Sequence, residues 1–374
     1  MLATTMQDTD RLAALLRPSL AELSPYVPAH VPEGVAHLDA NESPWGLSDD
    51  ARRSLADAIA RVEMNRYPDV RATALREIVA AENGVHPDRV VPGCGSDEVI
   101  AMLMTALANP PAGRSDASVL FPAPTFVMYR QSARSLGLRA RAVPLDDDFD
   151  LDADALLAAV REERPNVVFL ASPNNPTGTL FARDRIAAVI EAARDSLVVL
   201  DEAYAAFAGV TYRAERDANP HVAQLQTISK IGLAALRVGW AILPVGVARA
   251  VDTVRLPYNL SATSQAAAVH CLTTLRPELD AAVRRIVAER DRVAPLLAAL
   301  EDVRVWPSAA NFWWIRVPRD AAAVHAGMLR RGVAVRSFHT HGGALARQLR
   351  ITVGTPEEND RMLAALRGAL ADEP

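Results

Sequence analysis

The stretch NVVFLASPNNPTGTLFARDRIAAVIEAARDSLVVLDEAY, residues 166–204, decides the fold. It begins with the apolar run NVVFLA (166–171) and ends with a second, SLVVLD (196–201), just before EAY. Neither run alternates with polar residues, which suits strands buried on both faces. Between them, RDRIAAVIEAARD repeats its apolar positions at helical spacing. Strand, helix and strand in one such span make a parallel crossover unit.

The alternation extends outward in both directions. ASVLF (117–121) and LQTIS (225–229) read as further buried strands, with DADALLAAVREE as an intervening helix and ARRSLADAIARV and RATALREIVAAEN as helices upstream. From about residue 262 the chain turns helical, with ATSQAAAVHCLTTL and then the long PELDAAVRRIVAERDRVAPLLAAL. FWWIRV, a helix, VAVRSF, LRITVG and a last helix follow. The expected architecture is α/β, with a mostly parallel central sheet in a large domain over 46–285 and a smaller α+β domain over 286–374. Residues 1–45, rich in proline and polar residues, read as an arm that belongs in part with the smaller domain.

Half of the 374 residues are hydrophobic, enough for cores of that size. The net charge of −5 argues against a nucleic-acid or anionic-membrane binder. Cys94 and Cys271 are too far apart for a disulfide framework or a zinc ribbon, and the histidines suggest no metal site; His339 and His341 are expected to face solvent. No 18-residue apolar stretch occurs, and the first residues do not read as a signal peptide, so a cytoplasmic location is expected. Of the 40 basic residues only Lys230 is a lysine. Arginine stays protonated, so Lys230 is the one side chain suited to amine chemistry.

In open α/β sheets ligands bind beyond the carboxyl ends of the strands. Four such exits stand out. Gly93 and Gly95 precede a helix expected to start near Ser96, so that backbone groups of Gly95, Ser96 and Asp97 form a cup for an anion. SPNNPTG (172–178) holds Asn174 and Asn175 between prolines. Asp201 and Tyr204 follow SLVVL, where a carboxylate is costly unless it meets a cation. Lys230 follows Thr227 and Ser229, and Arg237 comes seven residues later. Each has a plainer alternative: an N-cap by Ser96 or Asp97, a simple turn, an N-cap by Asp201, a surface lysine. Together they meet the needs of pyridoxal 5'-phosphate: an amine for its aldehyde, a carboxylate for its ring nitrogen, donors for its ring oxygen and an anion site for its phosphate. Asp201 would keep the ring nitrogen protonated, Asn175 and Tyr204 would bond the ring oxygen, and Phe126 would stack on the ring.

At this point the chain resembles fold-type I pyridoxal-phosphate aminotransferases, and most closely the histidinol-phosphate aminotransferase family. The likeness rests on LDANESPWG (38–46), NRYPD (65–69), GCGSDE (93–98), PAPTFVMY (122–129), SPNNPTG, DEAY (201–204), TISKIGLAALRVGW (227–240), SAANF (308–312) and LRITVGTPEEN (349–359). It implies that Lys230 carries the cofactor, that Asp201 faces the ring nitrogen and that Asn175 and Tyr204 face the ring oxygen. It also implies that Ser96, Asp97, Thr227, Ser229 and Arg237 contact the phosphate. Tyr67 would reach the partner's site in a homodimer. Arg350 would receive the carboxylate of glutamate or 2-oxoglutarate, and Tyr26, Asn41 and Arg336 would serve the substrate. The implied reaction interconverts histidinol phosphate plus 2-oxoglutarate and imidazole-acetol phosphate plus L-glutamate, a step of histidine biosynthesis. An aromatic (phenylalanine) aminotransferase is the nearest alternative, and a phosphothreonine-type decarboxylase shares the fold. A pyridoxal-sensing regulator would need a DNA-binding domain that the residues before 40 are too few and too acidic to form. Three features depart from the family pattern. Arg237 lies one residue nearer to Lys230 than is common, Phe126 stands where a tyrosine is common, and Trp45, Trp313 and Trp314 are unusual residues placed to reshape the substrate pocket.

Overall fold

The computed structural model describes residues 12–25 and 32–372, and Tyr26 lies outside them. Twelve strands occur among these residues: β1 Ala36–Leu38, β2 Val90–Cys94, β3 Ser118–Ala123, β4 Arg139–Pro144, β5 Val167–Ala171, β6 Leu197–Asp201, β7 Val222–Thr227, β8 Val238–Ile242, β9 Arg304–Val305, β10 Phe312–Arg316, β11 Val333–Ser337 and β12 Gln348–Thr352. They form a seven-stranded sheet in the order β2-β8-β7-β6-β5-β3-β4 and a five-stranded sheet in the order β1-β11-β12-β10-β9.

The apolar runs become strands because both faces of the larger sheet are covered. Val168, Leu170, Val198 and Leu200 pack on one side against Leu156, Val160, Ile186 and Ile190 of the helices Ala153–Glu163 and Arg183–Ala192. Val167, Phe169, Leu197 and Val199 pack on the other against Val99, Leu103, Tyr129 and Val251. Each fully buried Val or Leu here contributes about 2 kcal/mol. Three strands of this sheet gave no strand signal. β2 contains Pro92 and Gly93, which a sheet tolerates because β2 is an edge strand. β4, RARAVP, is the opposite edge and carries the charges that protect an edge. β8 follows a loop and runs antiparallel to β7 and β2, while every other pairing in the sheet is parallel.

The five-stranded sheet packs one face on a separate core, where Trp313, Ile315, Val333, Val335, Leu349 and Ile351 meet Val324, Met328, Met362 and Leu366. The helix Arg276–Ala298 joins the cores, with Leu279 in one and Ile286, Val293 and Leu297 in the other. β1 comes from the amino-terminal arm and pairs in parallel with β11, an arrangement the arm's composition did not announce. The last helix, Pro356–Ala371, starts with a capping box in which Thr355 accepts from the Glu358 N–H and Glu358 accepts from the Thr355 N–H. That cap anchors the strand end from which Arg350 and Thr352 project. No helix among the described residues is long and apolar enough to cross a membrane.

Candidate active site

The topology gathers the singled-out residues at one edge of the seven-stranded sheet. β5, β6 and β7 are parallel, so Ala171, Asp201 and Thr227 end on the same side. β8 runs the other way, so Arg237, just before its first residue, lies at that edge too, and Cys94 at the end of β2 is opposite Val238. Asn175, Asp201, Lys230, Arg237 and Gly95 therefore line one rim although they are spread over much of the chain.

The anion cup is built by close backbone contact. The helix starts at Gly95, one residue before the expected Ser96, with Cys94 at its N-cap, so neither Ser96 nor Asp97 caps it. Gly95 has φ +79°, and a Cβ there would stand 2.5 Å from Arg237 Nη2. A Cβ on Gly239 would stand 2.6 Å from the Ser96 nitrogen. Both glycines are thus required for the guanidinium and β8 to approach the helix start. Arg237, itself at φ +53°, donates to Asp97 Oδ2 at 3.3 Å. Thr227 donates to Ser229 Oγ at 3.0 Å and accepts from the Ser229 N–H at 3.2 Å, which places both hydroxyls on the same turn as Lys230.

Asp201 is buried at the end of β6. Its Oδ1 accepts from the Ala203 N–H at 3.0 Å and its Oδ2 from the Tyr129 hydroxyl at 2.5 Å. No ion pair with a described residue reaches it within 4 Å. Burial pushes its carboxyl up to about 6; the Tyr129 and Ala203 hydrogen bonds pull against this, and the Asp97 and Glu202 carboxylates add to it. Tyr129 was not among the expected site residues. Its signal, a tyrosine three residues after Phe126 in PAPTFVMY, reads equally as a core aromatic.

The Lys230 amine lies over the Tyr204 ring, 5.7 Å from its centroid. The Tyr204 hydroxyl accepts from Asn41 Nδ2 at 2.9 Å. Asn41 is buried at φ +56°, and its backbone N–H donates to Thr352 Oγ1 at 3.0 Å. Asn41 therefore joins the arm to β12 and to the DEAY turn. Arg350 makes a similar junction: Nη1 donates to Asn175 Oδ1 and Nη2 to the Asp39 carbonyl, each at 2.6 Å. Arg336 is directly opposite Arg350 across β11 and β12, so both project from the same face. The neighbouring Asn174 is fully buried and holds its loop through Thr125, Thr177 and the Pro124 carbonyl.

Phe126 is half-buried, with its ring edge-on to Tyr129 at 5.7 Å. Tyr67 is on the surface, 80% exposed and stacked on Tyr258 at 4.5 Å. The tryptophans divide. Trp313 is part of the core, its Nε1 donating to the Arg290 carbonyl at 3.2 Å, so it does not shape a pocket as expected. Its β-strand neighbour Trp314 takes the opposite face and packs edge-on against Phe149 and Phe338. Trp45 packs against the core of the five-stranded sheet. His339 and His341 are exposed.

The fold is that of the fold-type I aminotransferases. A solved histidinol-phosphate aminotransferase from Sinorhizobium meliloti, in complex with pyridoxal-5'-phosphate, superposes with a TM-score of 0.80 at 28% identity, covering 95% of this chain and 97% of that one. The family model for class I and II aminotransferases matches residues 33–366. Histidinol-phosphate aminotransferase 1 of Burkholderia lata is 41% identical over 98% of this chain and 99% of its own length. Histidinol-phosphate aminotransferase 2 of Nitrosococcus oceani is 40% identical over 96% and 98%. The chain belongs to the class I and II aminotransferases and, within them, to the histidinol-phosphate aminotransferase family.

Proposed function

We propose that this aminotransferase uses pyridoxal 5'-phosphate to interconvert histidinol phosphate plus 2-oxoglutarate and imidazole-acetol phosphate plus L-glutamate. The observation that carries the reading is the rim itself. The chain's single lysine, a buried carboxylate with no cation within 4 Å among the described residues, and a glycine-built anion cup share one strand edge. The cofactor fits these residues. Asp201 is a buried acid short of a positive partner, which a protonated ring nitrogen supplies. The cup formed by Gly95, Ser96, Asp97 and Arg237, with the hydroxyls of Thr227 and Ser229, suits its phosphate. When bound, the pyridoxal ring supplies the electron-withdrawing group that makes an amino acid's Cα proton labile.

The protein's own groups do the rest. Lys230 would hold the cofactor through its amine and, as a free amine, would serve as the base for the substrate's Cα proton. Asp201 stays ionised against the ring nitrogen. Asn175 and Tyr204 hold the ring oxygen, with Tyr204 oriented by Asn41 and Asn175 by Arg350. Phe126 covers a ring face. Arg350 receives the α-carboxylate of glutamate or 2-oxoglutarate. The register sets Arg336 directly opposite Arg350, so two guanidinium groups share one face that suits an anionic substrate. Arg336, with Tyr26, is assigned to the substrate phosphate. Tyr67, exposed in one chain and stacked on Tyr258, is assigned to the neighbouring site of a homodimer. Asn259, next to Tyr258, donates to Glu98 beside the cup at 2.8 Å, so that surface adjoins the phosphate end. The division into a 46–285 large domain and a 286–374 small domain, with the 1–45 arm belonging in part to the smaller one, and a cytoplasmic location belong to the same reading.

The deciding assay compares amino transfer to 2-oxoglutarate from histidinol phosphate and from phenylalanine. Preference for histidinol phosphate is expected. Preference for phenylalanine would transfer the chain to the aromatic alternative.

A further inference from the structure

We infer that Tyr129 is a positioning residue for Asp201, whose hydroxyl fixes the carboxylate in the orientation that receives the cofactor's ring nitrogen. The inference rests on the cofactor reading above. Tyr129 is fully buried, on the helix Met128–Ser135. Its ring lies flat on Phe169 of β5 at 4.5 Å, edge-on to Phe126 at 5.7 Å and 6.1 Å from Phe121. The three ring neighbours are all phenylalanines, so a fourth would satisfy the packing. The hydroxyl is the feature that packing does not explain. A buried hydroxyl without a partner costs free energy, and the hydrogen bond recorded for this one goes to Asp201 Oδ2.

The arrangement on Asp201 is one donor per oxygen. The Ala203 N–H holds Oδ1 and the Tyr129 hydroxyl holds Oδ2. Two donors fix the plane of the carboxylate, and each oxygen keeps a lone pair for a further N–H. The first donor is backbone and cannot be varied by side-chain choice. The second is the adjustable one, on a ring clamped from several sides. The titratable groups facing Asp201 are Tyr129, Asp97 of the helix Gly95–Ala106 and Glu202; Tyr204 faces Tyr129. Among them the phenol is the one that donates a hydrogen bond to the carboxylate. Removing it leaves Asp201 beside two carboxylates with a single donor, so its proton affinity rises and its plane is freed.

The test titrates ligand-free enzyme with pyridoxal phosphate between about pH 5 and pH 8, where Asp201 changes charge. Covalent attachment to Lys230 is followed by absorbance and confirmed by borohydride trapping. Wild type is expected to lose affinity on the acid side as Asp201 protonates. In Tyr129→Phe that limb moves to higher pH, and kcat falls about tenfold with both donors while KM for glutamate stays within about twofold. 3-Fluorotyrosine at 129 keeps the ring and strengthens the donor, so it moves the limb to lower pH and keeps the proposal testable if Tyr129→Phe folds poorly. On an Asp201→Asn background, Tyr129→Phe adds no further loss of affinity, because it acts through Asp201. An unmoved limb, or full additivity with Asp201→Asn, would overturn the inference and leave Tyr129 a packing residue. Wild-type enzyme that takes up no cofactor on Lys230 overturns the cofactor reading instead, and the two failures are distinguishable.

Discussion

At the rim of the seven-stranded sheet, Asp201 ends β6, and Asn175 and Lys230 follow within a few residues of the ends of β5 and β7. On the inner face of the five-stranded sheet, Arg336, Arg350 and Thr352 are themselves strand residues, and their neighbours Val335, Leu349 and Ile351 are core. The first region collects groups that act on any amino acid: an amine, a buried acid, an anion cup. The second collects guanidinium groups that distinguish one acidic substrate from another. The two meet where Arg350 donates to Asn175 and Asn41 donates to Tyr204. The difference teaches a division of labour, with chemistry at the rim and selectivity on the facing sheet.

The comparison breaks most directly at Lys230. Lys230→Ala should abolish transfer from both donors while still binding the cofactor non-covalently; borohydride should label a Lys230 peptide in wild type only. Donor-dependent residual turnover would break the rim's generality. Asp201→Ala should slow both half-reactions by about 10²–10³-fold, roughly 3–4 kcal/mol of lost electrostatic stabilisation, measured in single turnovers.

Without cofactor, Asp201 should instead be a stability liability. Its folded pKa of about 6 lies above the ordinary carboxyl value of 3.8, so the folded state binds the proton more tightly. The stabilisation from that proton is complete below the unfolded value and is lost as pH rises through about 6. Asp201→Asn should therefore raise the Tm of ligand-free enzyme by about 2–4 °C at pH 7.5 and less at pH 5, checked by calorimetry. An equal gain at both pH values would contradict the buried-acid account.

On the facing sheet the effects should be smaller and one-sided. Arg336→Ala should raise KM for histidinol phosphate about tenfold, roughly 1.4 kcal/mol, and affect glutamate less; Arg350→Ala should show the opposite bias. Equal effects on both substrates would erase the division of labour. The smallest change is expected for Tyr67→Phe, a few-fold weaker cofactor retention. Mixing Tyr67-disrupted and Lys230→Ala subunits should restore some active sites; proven subunit exchange without recovery would count against a shared site.

The rim was legible because its residues follow conspicuous local patterns. A buried parallel strand must be an unbroken apolar run, so the polar residue that ends it is visible in one dimension, as Asp201 is after SLVVL. Lys230 stood out through arginine's use everywhere else. What only tertiary structure decided was which distant segments share a surface. β1 in the arm pairs with β11 through backbone bonds that any short apolar segment can make. Asn41 reaches Tyr204 because that pairing brings the arm across. Arg336 and Arg350 become opposed through a register set by turns and core packing. Tyr129 and Trp314 show the same limit from within single elements. An aromatic in an apolar run reads as core, and only the packed neighbours reveal that one phenol points at a buried carboxylate while one indole of a tandem pair faces away from the core its neighbour fills. Local sequence determines periodicity and punctuation because these depend on the backbone's own geometry; side-chain partnership across hundreds of residues depends on how the elements pack.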